Sequence, residues 1–335
     1  MSVPPRPLLA PLIAALTALA VGAGAACTGS PTPSPVLSAT TPSPTAYATH
    51  ALDLIGTNLF VGANWPAVRN VALQRIEKAV RTTDTYAALR DALAAAGQRS
   101  GDLVSTASMG SVPPSTAEPS TTTTDGVTTI TLPGFADLTA RPGSGQASPA
   151  EKSYVRRGSA VIANATALTT CGWIVDVRGT SSTDVPVLVG TVSPLLPAGT
   201  AVVEVDRAGQ AIRLSLDDES VMVDGRQVLP LDPVRRSATP VVVLQDDGTA
   251  RGGEAVVLAF RGRDRATSIG APTSGQATDA TTELLSDGAH LVVTRWRMAD
   301  RGGVPVGGSI APGQLVTDAA AQVSAARVWL RDECR

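Results

Sequence analysis

Residues 240–263, PVVVLQDDGTARGGEAVVLAFRGR, hold the strongest candidate for chemistry in the chain. Val241–Leu244 is a continuous apolar run, the pattern of a strand buried on both faces of a sheet. Gly248, Gly252 and Gly253 permit a tight turn, and Glu254–Phe260 resumes at helical spacing with an acid in the first turn. A buried strand, a glycine turn and a helix start present backbone N–H groups to an anion or an oxyanion. Hydrolysis at such a place needs a serine or cysteine in the turn, and the turn carries Arg251 instead. A guanidinium beside a helix start and the glycines Gly252 and Gly253 makes a seat for a carboxylate, such as a peptide C-terminus. The competing reading is a salt bridge from Arg251 to Asp246, Asp247 or Glu254, because an unpaired cation is disfavoured at that end of a helix.

Other reactive groups are scattered. Thr249, Ser181, Ser182 and Ser193 offer hydroxyls, but none has a histidine or lysine close in sequence to activate it. His50 and His290 are the only histidines, so no Cys–His metal spacing exists and no metal or other cofactor is expected. The three cysteines divide by context. Cys27 follows the small-residue run Val21–Ala26, itself preceded by the apolar stretch Leu8–Ala20 and by Arg6, the layout of an export signal over residues 1–26. The placement of Cys27 resembles the lipobox of bacterial lipoproteins, with Gly24 where an aliphatic residue is preferred. Ordinary cleavage after an alanine and an uncleaved anchor are the alternatives. With Cys27 lipidated, Cys171 and Cys334 remain as an even pair in an oxidising compartment, a candidate disulfide between sheet and C-terminal helix; two buried thiols are the other reading.

The elements that must position these residues read as α/β with a partly parallel sheet. Residues 27–46 are a Pro/Ser/Thr tether too polar to fold. Residues 47–103 form a small helical subdomain: helices over 47–60, 64–80 and 83–96, the second with Val68, Val71, Ala72, Ile76 and Val80 inward. Residues 104–126 read as a low-complexity surface loop. Residues 127–335 are the core: strands at 127–135 and 172–178, a helix at 151–168, short alternating strands over 200–231 with an Asp224-Gly225 hairpin, a second hairpin at Asp287-Gly288, and a closing helix at 318–331. The net charge of −2 comes with no basic run, which excludes a nucleic-acid partner.

Several stretches together resemble the tail-specific (C-terminal processing) serine peptidases, in the branch close to the interphotoreceptor retinoid-binding protein that lacks a PDZ module. They are YAALRDALAAAG at 86–97, VTTITLPGF at 127–135, CGWIVDVRG at 171–179, GTARGGEAVVLAFRGR at 248–263, GAPTSGQAT at 270–278, and LSDGAHLVVT with ADRGGVPVGGSIAP at 285–312. The resemblance implies a crotonase-like (ClpP-like) core with a mixed sheet, flanked by helices. It also implies a serine nucleophile in a T-A-S-x-x-E turn, where Thr249, Ala250 and Glu254 match and Arg251 replaces the serine. The base lysine of P-T-x-G-K is Gln276, the histidine of G-D-G-H-S is absent from Gly97–Gly101 (Ser100 is the degenerate remnant), and the oxyanion loop R-G-N-x-G-G reads Arg178–Thr183. Four elements lost together imply an inactive descendant that binds or scaffolds at the cell envelope, held to the membrane by an N-terminal lipid. Peptide or protein C-termini are the implied partners, with Arg251, Gly252, Gly253, Thr180 and Ser181 as ligand-binding candidates. A serine peptidase with another nucleophile and a carrier of apolar ligands are the alternatives.

Overall fold

The computed structural model describes residues 42–96, 101–109, 117–137, 146–233 and 235–334. The export signal, Cys27, nearly all of the tether, and the segment holding Gly97 and Ser100 lie outside the described residues.

Helix α1 (Pro44–Ile55) starts earlier than the apolar pattern alone suggests, because Ser43 accepts the Ala46 N–H and Pro44 is preset for a first turn. Helix α2 (Trp65–Arg75) is shorter than expected. Its inward stripe is Val68, Ala72 and Ile76 at four-residue spacing; Val71, turned away from that stripe, and Val80, beyond the helix end, are exposed. A 3₁₀ turn at Thr82–Thr85 leads into α3 (Tyr86–Ala95). These helices share one apolar cluster with Leu103, Leu285, Ala289, Leu291 and Val293, so they are docked on sheet strands. Asp287, in the turn of a hairpin, locks that docking: it accepts the phenols of Tyr47 (3.0 Å) and Tyr86 (2.8 Å) and the Ala289 N–H (3.1 Å). Burial works against the Asp287 carboxylate, yet the hydroxyls of Thr82, Tyr86 and Tyr47 and the Ala289 N–H hold it below the usual carboxylate range. Asp287→Ala is expected to cost about 3 kcal/mol, since it strands two phenols that donate to a charge. Amide exchange should accelerate in α1 and α3 ahead of the rest, and Asp287→Asn should cost less; an unchanged urea midpoint for Asp287→Ala would remove this role.

The chain continues through β1 (Asp102–Val104), α4 (Thr106–Met109), β2 (Ser120–Thr124), β3 (Val127–Thr131), α5 (Pro149–Thr166), β4 (Gly172–Asp176), β5 (Ser181–Ser182) and α6 (Val185–Thr191). Four antiparallel strands follow, β6 (Gly199–Asp206), β7 (Ala211–Leu216), β8 (Ser220–Val223) and β9 (Arg226–Pro230). Next come β10 (Val241–Gln245), β11 (Ala250–Arg251), α7 (Gly252–Phe260), β12 (Ala266–Gly270), the hairpin β13 (Thr278–Leu284) and β14 (His290–Ala299), β15 (Gln314–Leu315) and α8 (Ala319–Glu333).

One sheet runs β15-β12-β10-β4-β3-β2, parallel except for the β2–β3 hairpin. Its central strands alternate faces at period two. Trp173, Val175, Val241 and Val243 pack into the main core with α5, α6 and α7, whereas Ile174, Val242 and Leu244 pack under α8. The second sheet, β1-β14-β6-β7-β8-β9 with β13 also on β14, is antiparallel. The expected loop over 104–126 is corrected at both ends: Val104 closes β1, and Ser120–Thr124 is an edge strand of the first sheet. Its four threonines are β-branched and stiff, and Asp125-Gly126, both at positive φ (51° and 73°), makes the two-residue hairpin turn that pairs it with β3. Cys171 and Cys334 are joined by a disulfide, with Cα atoms 5.1 Å apart.

Candidate functional site

The turn between β10 and α7 is shaped by Asp246. Its Oδ1 accepts N–H bonds from Gly248 (3.0 Å) and from Gly179 across the sheet (2.8 Å), and the Thr249 hydroxyl at 3.1 Å. Arg251 then adopts φ 52°, ψ −110°, a backbone state that costs a non-glycine residue about 1–3 kcal/mol. Two contacts hold it there. The Arg251 N–H donates to Glu254 Oε2 at 2.9 Å, and β11 pairs in parallel with β5, Ala250 opposite Ser181 and Arg251 opposite Ser182. The residue thus stands on a sharp strand-to-helix elbow, the backbone shape that exposes a nucleophile, but it carries a guanidinium.

Glu254 is fully buried and organises the rest. Its Oε1 accepts the Thr273 hydroxyl (2.6 Å) and the Gly275 N–H (3.0 Å), and the Gln276 backbone also bonds the carboxylate. Burial raises the Glu254 carboxyl, while these donors pull it back. The expected base position, Gln276, is therefore brought to the start of α7 beside Arg251, through Glu254. The sequence pattern names Arg251, Gln276 and Glu254 separately, and the Glu254 carboxylate is what joins the three.

The ligand-binding candidates behave differently. Thr180 is buried, its hydroxyl donating to the Leu132 carbonyl and its own carbonyl accepting the Ala250 N–H. Its role is to join strands, which corrects its place among the ligand groups. A Cβ on Gly253 would sit 2.5 Å from the Thr180 carbonyl oxygen, and one on Gly252 would sit 3.1 Å from that of Ser182. Both glycines are required by close packing of α7 on β5, whatever binds at the helix start. The donors of the former oxyanion loop are taken: Gly179 N–H by Asp246, Thr180 N–H by Val177. Ser181 is exposed. His50 lies on α1 and His290 begins β14, opposite Val104 and Leu284, so neither belongs to the elbow.

The salt-bridge reading of Arg251 is not what the structure contains. Among the described residues its guanidinium has no ion pair, and its Nε is buried without a hydrogen-bond partner. Asp246 and Glu254 are within reach in sequence, but Asp246 Oδ1 and both Glu254 oxygens accept the donors named above. The buried Ser274 hydroxyl, also unpartnered, lies next to the elbow, where the Ser274 N–H donates to the Thr249 carbonyl (3.0 Å).

A group of carboxyls near the site had no sequence signature. Asp184 caps α6 through the Val187 N–H (3.1 Å), and burial, then Glu151, push it up to about 8. Glu204, on β6, is raised well above the ordinary range by burial and by its bond to Asp279, itself raised by burial to about 6. No group of acids, cysteines and histidines among the described residues is arranged to hold a metal ion, and no helix there is long and apolar enough to cross a membrane. The elbow presents a guanidinium at a helix start, beside the buried Ser274 hydroxyl and with the N–H groups of Gly179 and Thr180 already taken.

The nisin-resistance protein of Lactococcus lactis subsp. lactis is 31% identical over 130 residues, 39% of this chain and 41% of that protein, so the similarity spans less than half the relative's length. A lipoprotein from Streptococcus agalactiae has the same fold at a TM-score of 0.73 and 18% identity, over 87% of this chain and 97% of that one. The photosystem II D1 C-terminal processing protease superposes at 0.57 with 14% identity, over 82% and 94%. Residues 129–312, from β3 to the segment before β15, match the sequence profile of Peptidase family S41. With more than half its length in that match, on the fold of a C-terminal processing protease, the chain is a member of Peptidase family S41.

Proposed function

We propose that this protein is an exported member of its family that no longer hydrolyses peptides and acts as a binding module at the cell envelope, anchored through a lipid on Cys27. The observation that carries the reading is Arg251: the elbow backbone is kept at its energetic cost, while the side chain it presents cannot attack a carbonyl. Gln276 in place of a base and the occupied N–H groups of Gly179 and Thr180 support it. The names of the relatives, a lipoprotein and a nisin-resistance protein, agree with an envelope role. The ligand is a peptide or protein C-terminus, whose carboxylate meets the unpaired Arg251 guanidinium at the start of α7.

Two measurements test this. Fluorophosphonate should leave the purified domain unlabelled; specific labelling of a serine or threonine would establish a working nucleophile and end the proposal. Peptides with a free C-terminal carboxylate, nisin among them, should bind at least about tenfold more tightly than their C-terminal amides, the worth of one charge-assisted contact. Arg251→Ala should erase that difference, and if the variant still discriminates acid from amide the C-terminus is held elsewhere.

A further inference from the structure

The far end of α7 carries a second feature that hydrolysis and C-terminus binding leave unexplained. A cavity of 360 Å3 lies between the last turn of α7, β10, β12 and the segment before β15. Its walls include Val243, Val257, Phe260, Ala266 and Pro312, with the hydroxyl-bearing Thr267 and Ser268 as polar points. The volume falls within the ~300–1,000 Å3 typical of small-molecule pockets. At 1.5 Å per residue, the nine residues of α7 put this cavity about 13 Å from Arg251.

The charge beside it is cationic. Arg261 lines the cavity, is exposed, and has no ion pair among the described residues. Arg301 lies against Gly262, its Cδ 3.8 Å from where a Cβ would be, and donates through Nη2 to the Ala259 carbonyl (2.5 Å) at the helix end. Its Nε is buried without a partner. Two neighbouring arginines are committed elsewhere: Arg263 to the carbonyls of Asp264, Ser237 and Thr239, Arg265 to Glu333. Of the acids nearby, Asp300 already accepts the N–H groups of Gly302 and Val304 (3.0 and 3.1 Å), and Asp264 is exposed. A half-open cavity of mixed polar and apolar lining, with one uncommitted guanidinium among its walls, suits a small ligand that has an apolar part and a single anionic head.

We infer that this cavity is a binding site for a small amphipathic anion, its apolar part against the wall that Phe260, Val257, Ala266 and Pro312 form and its head on Arg261. The site is independent of the elbow. Titration of the purified domain with octanoate should show saturable one-to-one binding, tightening about three- to fourfold per added methylene until the cavity is filled. Octanol and octylammonium should bind at least tenfold more weakly. Arg261→Ala should weaken octanoate at least tenfold and Ala311→Trp, which fills the cavity from an exposed position, should abolish it; both leave Tm unchanged. Arg251→Ala should leave octanoate binding intact, which separates this site from the C-terminus site. Capture by phosphatidylglycerol vesicles, lost in both cavity variants, would identify the anion as a membrane lipid; octanoate binding without vesicle capture would identify a free acid. No saturable binding, equal binding of octylammonium, or binding that survives both cavity substitutions would overturn the inference.

Discussion

Cys334→Ala should remove about 5 kcal/mol of stability, the chain-entropy value of a cross-link between residues 163 apart. The location argues for the full effect. The bond ties the end of α8 to the residue just before β4, and α8, with Val316 ahead of it, covers the face of the parallel sheet formed by Val127, Ile174, Val242, Leu244 and Ile269. Few other ties hold that helix. Arg178 reaches the Ala319 carbonyl (2.9 Å) and Gln322 Oε1 (3.1 Å) at its start, and a half-exposed Arg265–Glu333 pair (3.3 Å) lies at its end. Surface pairs of that kind are worth about 1 kcal/mol or less. For a domain of this size the loss corresponds to a Tm lower by about 10–20 °C. Reduction of the intact protein should reproduce it, with the first loss of exchange protection in α8. A reduced protein, its two thiols confirmed by titration, that melts within two degrees of the oxidised one would show that packing alone secures the helix.

The parts of this architecture that were legible in the sequence are those set by local rules. Continuous apolar runs marked β4 and β10, and Asp-Gly pairs marked the hairpins at Asp224-Gly225 and Asp287-Gly288, where φ is positive at Asp224, Gly225 and Gly288. The elbow was legible because an apolar run, glycines and an acidic helix start follow one another in sequence, although what requires Gly252 and Gly253 is a long-range contact, the close approach of α7 to β5. Strand β2 was missed because a run of threonines between prolines and serines has the composition of a linker, although its β-branching and the Asp125-Gly126 turn were available signals.

The misreadings at the site share a different cause. Two of the acids near Arg251 in sequence accept donors from elsewhere in the chain: Gly179 on Asp246, Thr273 and Gly275 on Glu254. Whether a nearby charge is free to pair depends on who else reaches it, and that is a tertiary fact. The same holds for Thr180, whose side chain was assigned to a ligand by position in a loop and is used up inside the fold. The carboxyl group of Asp184, Glu151, Glu204 and Asp279 was invisible for the strongest reason: its members come from four elements, and only folding makes them neighbours.

Those carboxyls give the protein an acid-favoured stability that can be read by melting. In an unfolded chain each would release its proton near pH 4, whereas folded Asp184, enclosed and facing Glu151, keeps its proton until about pH 8. Between those values the folded state binds more protons, so stability is full below about pH 4, declines as pH rises, and is lost through about pH 8. Asp279 acts in the same sense up to about 6, and Glu204, raised and sharing a hydrogen bond with it, titrates with it as a pair. Two sets of groups oppose this at lower pH. His290 is held below its ordinary value by burial, so charging it costs stability below about 6.5. Asp84, Asp217 and Asp287 are held low by their donors, and their contribution is lost in strong acid. The window from pH 6.5 to 8 therefore isolates the buried carboxyls. Each retained proton is worth up to about 1.4 kcal/mol per pH unit, so Tm should be about 5 °C higher at pH 6.5 than at pH 8. Asp184→Asn keeps the acceptor that caps α6 and removes the charge. The variant should melt at pH 8 as the native protein does at pH 6.5, with most of the slope gone, and Glu204→Gln should flatten what remains. A native Tm that stays level or climbs from pH 6.5 to 8 would mean these carboxyls are ionised in the fold, their charges met by solvent.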